Sequence, residues 1–101
     1  MKCEAHITID PAMNSSLSKS DLRCFVETNG WTFSSIENDP IYGDKTFYYA
    51  TMTWKTVDET SIRKEIEKFL HDARLYYPRV YVKRAKAEVT IYDSRDYGDL
   101  D

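Results

Sequence analysis

Glycine is scarce in this chain, with three among 101 residues. That is too few for the Gly-rich loops that cradle phosphates, and no Walker loop, G-x-S-x-G elbow, dinucleotide fingerprint or H-E-x-x-H motif occurs. Cysteine is scarce too: Cys3 and Cys24 lie 21 positions apart, with no Cys or His partner at zinc-ligand spacing. They are expected to be two reduced, buried thiols. Also missing is any apolar run of about 18 residues, as a membrane span requires. The opening MKCEAHITID is charged and alternating where a signal peptide carries a continuous apolar core, so a cytoplasmic protein with no membrane partner is expected. Nor does one sign of charge dominate. The net charge of −3 falls wholly in residues 93–101, DSRDYGDLD, so that residues 1–92 balance at thirteen acidic and thirteen basic side chains. An electrostatic nucleic-acid binder is more often basic, and a mimic of DNA far more acidic.

What remains is an ordinary apolar fraction of 42% and 14% aromatics, eight of them tyrosine. This composition fits one α+β domain over residues 1–92 followed by an acidic tail over 93–101. The stretch Lys45–Lys55 is the clearest strand. Tyr48, Ala50, Met52 and Trp54 share one parity and are expected to be core, while Phe47, Tyr49, Thr51, Thr53 and Lys55 share the other. Lys2–Asp10 alternates in the same way, with Cys3, Ala5, Ile7 and Ile9 on its apolar side. Ser18 is positioned to cap a helix with Asp21 in its first turn and a Leu17/Leu22 staple. Asn29-Gly30 supplies the left-handed stop.

Trp31–Glu37 is a second strand with a bulge or an early exit. The loop 38–44 follows, its Asn38, Asp39 and Asp44 serving as turn residues. Thr56 and Glu59 have capping-box spacing for a second helix, in which Ile62, Ile66, Phe69, Leu70 and Ala73 recur along one face until Tyr77-Pro78. The last strand, Arg79–Tyr92, is expected to bury Val80 and Val82, then Ala85, Ala87, Val89 and Ile91. That change of parity implies a bulge or a bend near Lys83-Arg84. The order β-α-β-β-α-β predicts a ferredoxin-like fold, a four-stranded antiparallel sheet with two helices on one face and the first and third strands central.

The sheet's other face is then open, and its candidate binding residues are His6, Thr8, Phe47, Tyr49, Thr51, Lys55, Arg84 and Lys86. Lys45-Thr46-Phe47-Tyr48-Tyr49-Ala50-Thr51-Met52 resembles the RNP1 motif of RNA recognition motifs, with Thr46 and Tyr48 replacing both glycines. The resemblance implies single-stranded RNA or DNA stacked on Phe47 and Tyr49, with His6 where the companion motif has an aromatic. His6-Ile7-Thr8 is similar to one half of the 2H phosphoesterases, whose paired H-x-T or H-x-S motifs supply a base and an acid. The second half is missing, since His71 lies in His71-Asp72-Ala73 on a helix.

No other catalytic set, cofactor site or metal site emerges. Cys24 has Arg23 beside it but no base, and Glu65 and Glu67 point to different helix faces. The tyrosines at 42, 76, 77, 81, 92 and 97 fall near loops and strand ends, where interface aromatics act. The acidic tail could meet a basic partner, and an edge strand could make a homodimer. A further resemblance, carried by Gly30-Trp31, Ser34, Ile36, Asp39, Pro40 and Gly43, then Arg84, Lys86, Glu88 and Ile91-Tyr92-Asp93, is to a family of small uncharacterised phage and bacterial proteins. It implies a phage-encoded inhibitor of a host defence or regulatory protein. The favoured expectation is therefore a non-enzymatic protein-interaction module, ahead of nucleic-acid binding and, third, catalysis through His6.

Overall fold

A computed structural model describes residues 1–11, 18–39, 45–78 and 80–97, with only the backbone at 38, 39, 96 and 97. Its elements are β1 (Lys2–Ile9), α1 (Lys19–Thr28), β2 (Thr32–Asp39), β3 (Lys45–Trp54), α2 (Glu59–Tyr76), β4 (Val82–Thr90) and a 3-10 turn at Ser94–Tyr97. The four strands form one antiparallel sheet in the order β2-β3-β1-β4. The chain is an α+β protein with β1 and β3 inside the sheet and β2 and β4 at its edges. Among the described residues no helix is long and apolar enough to cross a membrane.

Local chemistry accounts for most element ends. The Ser18 hydroxyl accepts the Asp21 N–H at 3.4 Å and opens α1. Past its end, Gly30 sits at φ +83°, the left-handed region that a side chain disfavours. Leu17 of the expected staple and the turn residue Asp44 lie outside the described residues. Asn38 and Asp39, expected in a loop, belong instead to β2, whose pairing with β3 shifts register between Ile36 and Asp39.

The cap of α2 corrects an expectation. Asp58 rather than Thr56 caps this helix, its carboxylate accepting from the Ser61 N–H at 3.3 Å and the Ser61 hydroxyl at 3.1 Å. A carboxylate one residue before the helix reaches N3 and also meets the positive end of the helix dipole. Thr56, further upstream, has no such reach.

Leu22 and Val26 of α1, and Phe69 and Ala73 of α2, share one buried cluster with Ala5, Ile7, Ile9, Ala50 and Trp31. Both helices therefore cover the same sheet face, the one carrying the odd residues of β1. Phe69 is at the centre of the aromatic contacts, 4.9 Å from the Trp31 ring and 5.4 Å from Phe25. Each large side chain removed from water here contributes roughly 1.5–3 kcal/mol. Trp54 stands at the margin of this core, only partly buried and edge-on to Trp31 at 6.2 Å. Cys3 is buried as expected, but Cys24 is exposed. Its Sγ points along the outer side of α1, 3.9 Å from the Thr28 hydroxyl.

β4 departs furthest from expectation. The bulge is present, since Ile9 pairs with Val82 and Thr8 with Arg84, leaving Lys83 as the extra residue. Beyond it, however, Ala85, Ala87, Val89 and Ile91 are exposed rather than buried. Ile7, Ala5 and Cys3, the direct partners of the first three, are buried in the next strand. The two helices cover the sheet's middle and stop short of this edge.

Candidate functional site

Register decides which of the expected binding residues meet. On the face away from the helices, His6 stands opposite Thr51 on β3 and Lys86 on β4, and Thr8 stands opposite Tyr49 and Arg84. Phe47 pairs with Ile36 of β2 at one end of that face, while Lys55 lies just past the other end of β3, exposed. The strands thus bring seven of the eight residues onto one surface.

Accessibility then divides them. Phe47 is 1% exposed, with the Lys83 ammonium 5.6 Å from its ring centroid, and Thr8 is buried beside it. A ring sunk to that degree cannot stack on a base, so the pair of aromatic platforms implied by the RNP1 likeness is reduced to Tyr49, which is half-buried. Alternation places Phe47 on the correct face but says nothing of the depth at which it sits. Ile36 of β2 stands opposite it, and Lys83, at the bulge in β4, reaches over the ring.

The polar centre of the face is a short chain of contacts. A hydrogen bond of 3.1 Å joins His6 Nδ1 and the Thr51 hydroxyl, its direction set by the imidazole tautomer. His6 Nε2 lies 3.8 Å from Glu4 Oε1, and the Lys86 ammonium donates to Glu88 at 2.9 Å. That hydrogen bond and the Lys86 charge, together with His6 and Arg84 nearby, hold the Glu88 carboxyl below its usual range. Hydroxyl, imidazole and carboxylate are in sequence, but the Glu4 contact exceeds hydrogen-bond length, which leaves the imidazole oriented from one side only. His71 is exposed on α2, across the sheet from His6, so the two histidines do not face one groove. Among the described residues, no group of three or more His, Cys, Asp or Glu could hold a metal ion.

The acidic tail begins as part of this face. Asp93 accepts from the Arg95 side chain, as close as 2.6 Å, and from the Lys2 ammonium at 3.0 Å. The side-chain and backbone hydrogen bonds from Arg95, then the one from Lys2, hold its carboxyl well below the usual carboxylate range.

A second surface was not anticipated from the sequence. Between β4 and α2 runs a groove of about 420 Å³. Its apolar lining is Ala85, Ala87 and Val89 of β4, Ile62 and Ile66 of α2, and Val57, with Glu59, Arg63 and Glu67 of α2 beside them. Val57 and Val89 are 41% and 50% exposed, and Ile91, just past the strand, is 83% exposed. The clue in the sequence was the size of the alternating residues, Ala-x-Ala-x-Val, which give an edge strand little to bury. No family model, curated protein or solved structure matches the chain.

At the far side of the helices, Tyr77 packs edge-on to Phe25 at 5.7 Å and donates its hydroxyl to the Asp21 carbonyl at 3.2 Å. Burial and the nearby Asp21 charge push its phenol up. Of the tyrosines expected to reach a partner, Tyr76, Tyr81 and Tyr92 are exposed, whereas Tyr77 is partly enclosed. Tyr42 and the Tyr97 side chain lie outside the described residues.

Proposed function

We propose that the chain is a non-enzymatic protein-binding module acting in the cytoplasm, with its docking surface along β4 and α2. One observation carries the proposal: Ala85, Ala87 and Val89 stand exposed on the face whose neighbouring row, Ile7, Ala5 and Cys3, is buried. Apolar surface at a sheet edge, beside a strand with an unpaired outer side, marks interaction sites in soluble proteins. The strand order, with β1 and β3 central, and the packing of both helices on one face support a ferredoxin-like βαββαβ scaffold for this module. Its narrower form, inhibition of a host protein by a phage-encoded one, is supported by the resemblance of the blocks around Gly30-Trp31 and Arg84–Asp93 to small phage and bacterial proteins.

The test is a photo-crosslinking amino acid placed at Val89 and, as a remote control, at the exposed Arg23 of α1. Irradiation is carried out both in bacterial lysate and with the purified protein at high concentration. Protein adducts from position 89 and none from position 23 are expected. Absence of any protein adduct at 89 in both preparations overturns the module.

A second reading places single-stranded RNA or DNA on the open face, favoured by the placement of Tyr49 and Arg84 on either side of Thr8. Stacking on Tyr49 with phosphates held by Arg84, Lys86 and Lys55 is its mechanism. Titration of a fluorescent oligonucleotide at low salt tests it, and no binding at tens of micromolar removes it.

A further inference from the structure

We infer that the occupant of the β4 edge is a second copy of this chain, joined by antiparallel self-pairing of β4 about a two-fold axis through Ala87. The inference rests on the protein-binding reading above and names its partner.

Geometry sets the register. β4 is regular only between the bulge at Lys83 and its end at Thr90, and the midpoint of Arg84–Thr90 is Ala87. Pairing that whole length with itself puts Ala87 opposite Ala87, with Ala85 opposite Val89 on either side. An antiparallel two-fold contact is self-complementary, so each pair occurs twice. On the open face the same register sets Lys86 opposite Glu88 and Arg84 opposite Thr90. The Lys86–Glu88 pair, which the two-fold axis repeats, is then of opposite sign, the arrangement that stabilises directly opposed strand residues. An axis moved by one residue, to Lys86, would oppose Lys86 to Lys86 and leave the regular stretch unmatched.

The helix-side consequences agree. A two-fold axis normal to the sheet keeps the helices of both copies on one side, so the exposed Ala85, Ala87 and Val89 of each copy meet those of the other. The groove between β4 and α2 in one copy then opens onto the same groove in its partner, and the apolar lining loses its water. Among the described residues the outer edge of β4 pairs with no strand, which leaves its outward backbone groups available for a second copy.

Sedimentation velocity over a concentration series tests the inference on the intact chain. A monomer–dimer equilibrium is expected at tens of micromolar. Lys86→Glu and Glu88→Lys should each weaken it by about tenfold, because each places like charges opposite one another twice. The double variant Lys86→Glu/Glu88→Lys should restore it. Amide exchange gives a readout that needs no variant: outward amides between Arg84 and Thr90 should become protected as concentration rises. A monomer at every concentration overturns the inference, as does a dimer indifferent to both single changes or not rescued by the double. If position 89 crosslinks only to another protein and never to this chain, the self-pairing fails while the module stands. If it crosslinks to no protein, both fail.

Discussion

Replacing Phe47 tests directly how the two faces of the sheet have been assigned. The ring is 1% exposed, on the side away from the helices, opposite Ile36 and under the Lys83 ammonium. Truncating a buried phenylalanine to alanine costs about 3–5 kcal/mol, because the cavity it leaves collapses only in part. The lost cation–π contact adds about 0.5–1 kcal/mol. Against a total stability of about 5–15 kcal/mol for a domain of this size, Phe47→Ala leaves a marginal protein. Its midpoint should fall by tens of degrees, at about 4–8 °C per kcal/mol.

Phe47→Leu keeps most of the volume and should cost about 1 kcal/mol, which makes it the better partner for a double-mutant cycle with Lys83→Met. The coupling expected from that cycle is about 0.5–1 kcal/mol. Urea unfolding at fixed protein concentration measures all of these. If Phe47→Ala unfolds at the wild-type midpoint and loses only affinity for an oligonucleotide, the ring is a stacking platform and its assignment to the interior is refuted.

Other consequences can be checked with less effort. The Asp93 carboxyl is held low by Arg95 and Lys2, so the stability it contributes is present above the unfolded value of about 3.9 and lost as pH falls through the folded one. Asp93→Asn should therefore be less stable than wild type above about pH 5. The gap should narrow in acid urea titrations below about pH 4, and a gap independent of pH would remove the ion pairs as its cause. Cys24 is exposed while Cys3 is buried with its thiol pushed up by desolvation, so a thiol reagent should label one cysteine quickly and the second only on unfolding. Equal fast labelling of both would contradict the placement of β1. At the start of α2, Asp58→Ala should cost about 1 kcal/mol and Thr56→Ala less than about 0.5 kcal/mol in thermal unfolding. The reverse order would return the cap to Thr56.

These contrasts separate what the sequence determined alone from what needed the folded chain. The alternation of β1, the Ser18 cap, the left-handed Gly30, the apolar face of α2 and the change of parity near Lys83 were all legible, because each depends on residues within a turn or two of one another. So was the grouping of His6, Thr8, Tyr49, Thr51, Arg84 and Lys86 on one face, since parity and strand order suffice to place them. Depth was not legible. Phe47 and Tyr49 have the same parity, yet the first is buried and the second is not. Ala87 has the same parity as Ile91 and, through pairing, the same face as Ala5, yet only Ala5 is buried. Periodicity tells which way a side chain points. Whether anything stands there to meet it depends on how far the helices reach across the sheet, and only tertiary structure decided that β4 would be left uncovered.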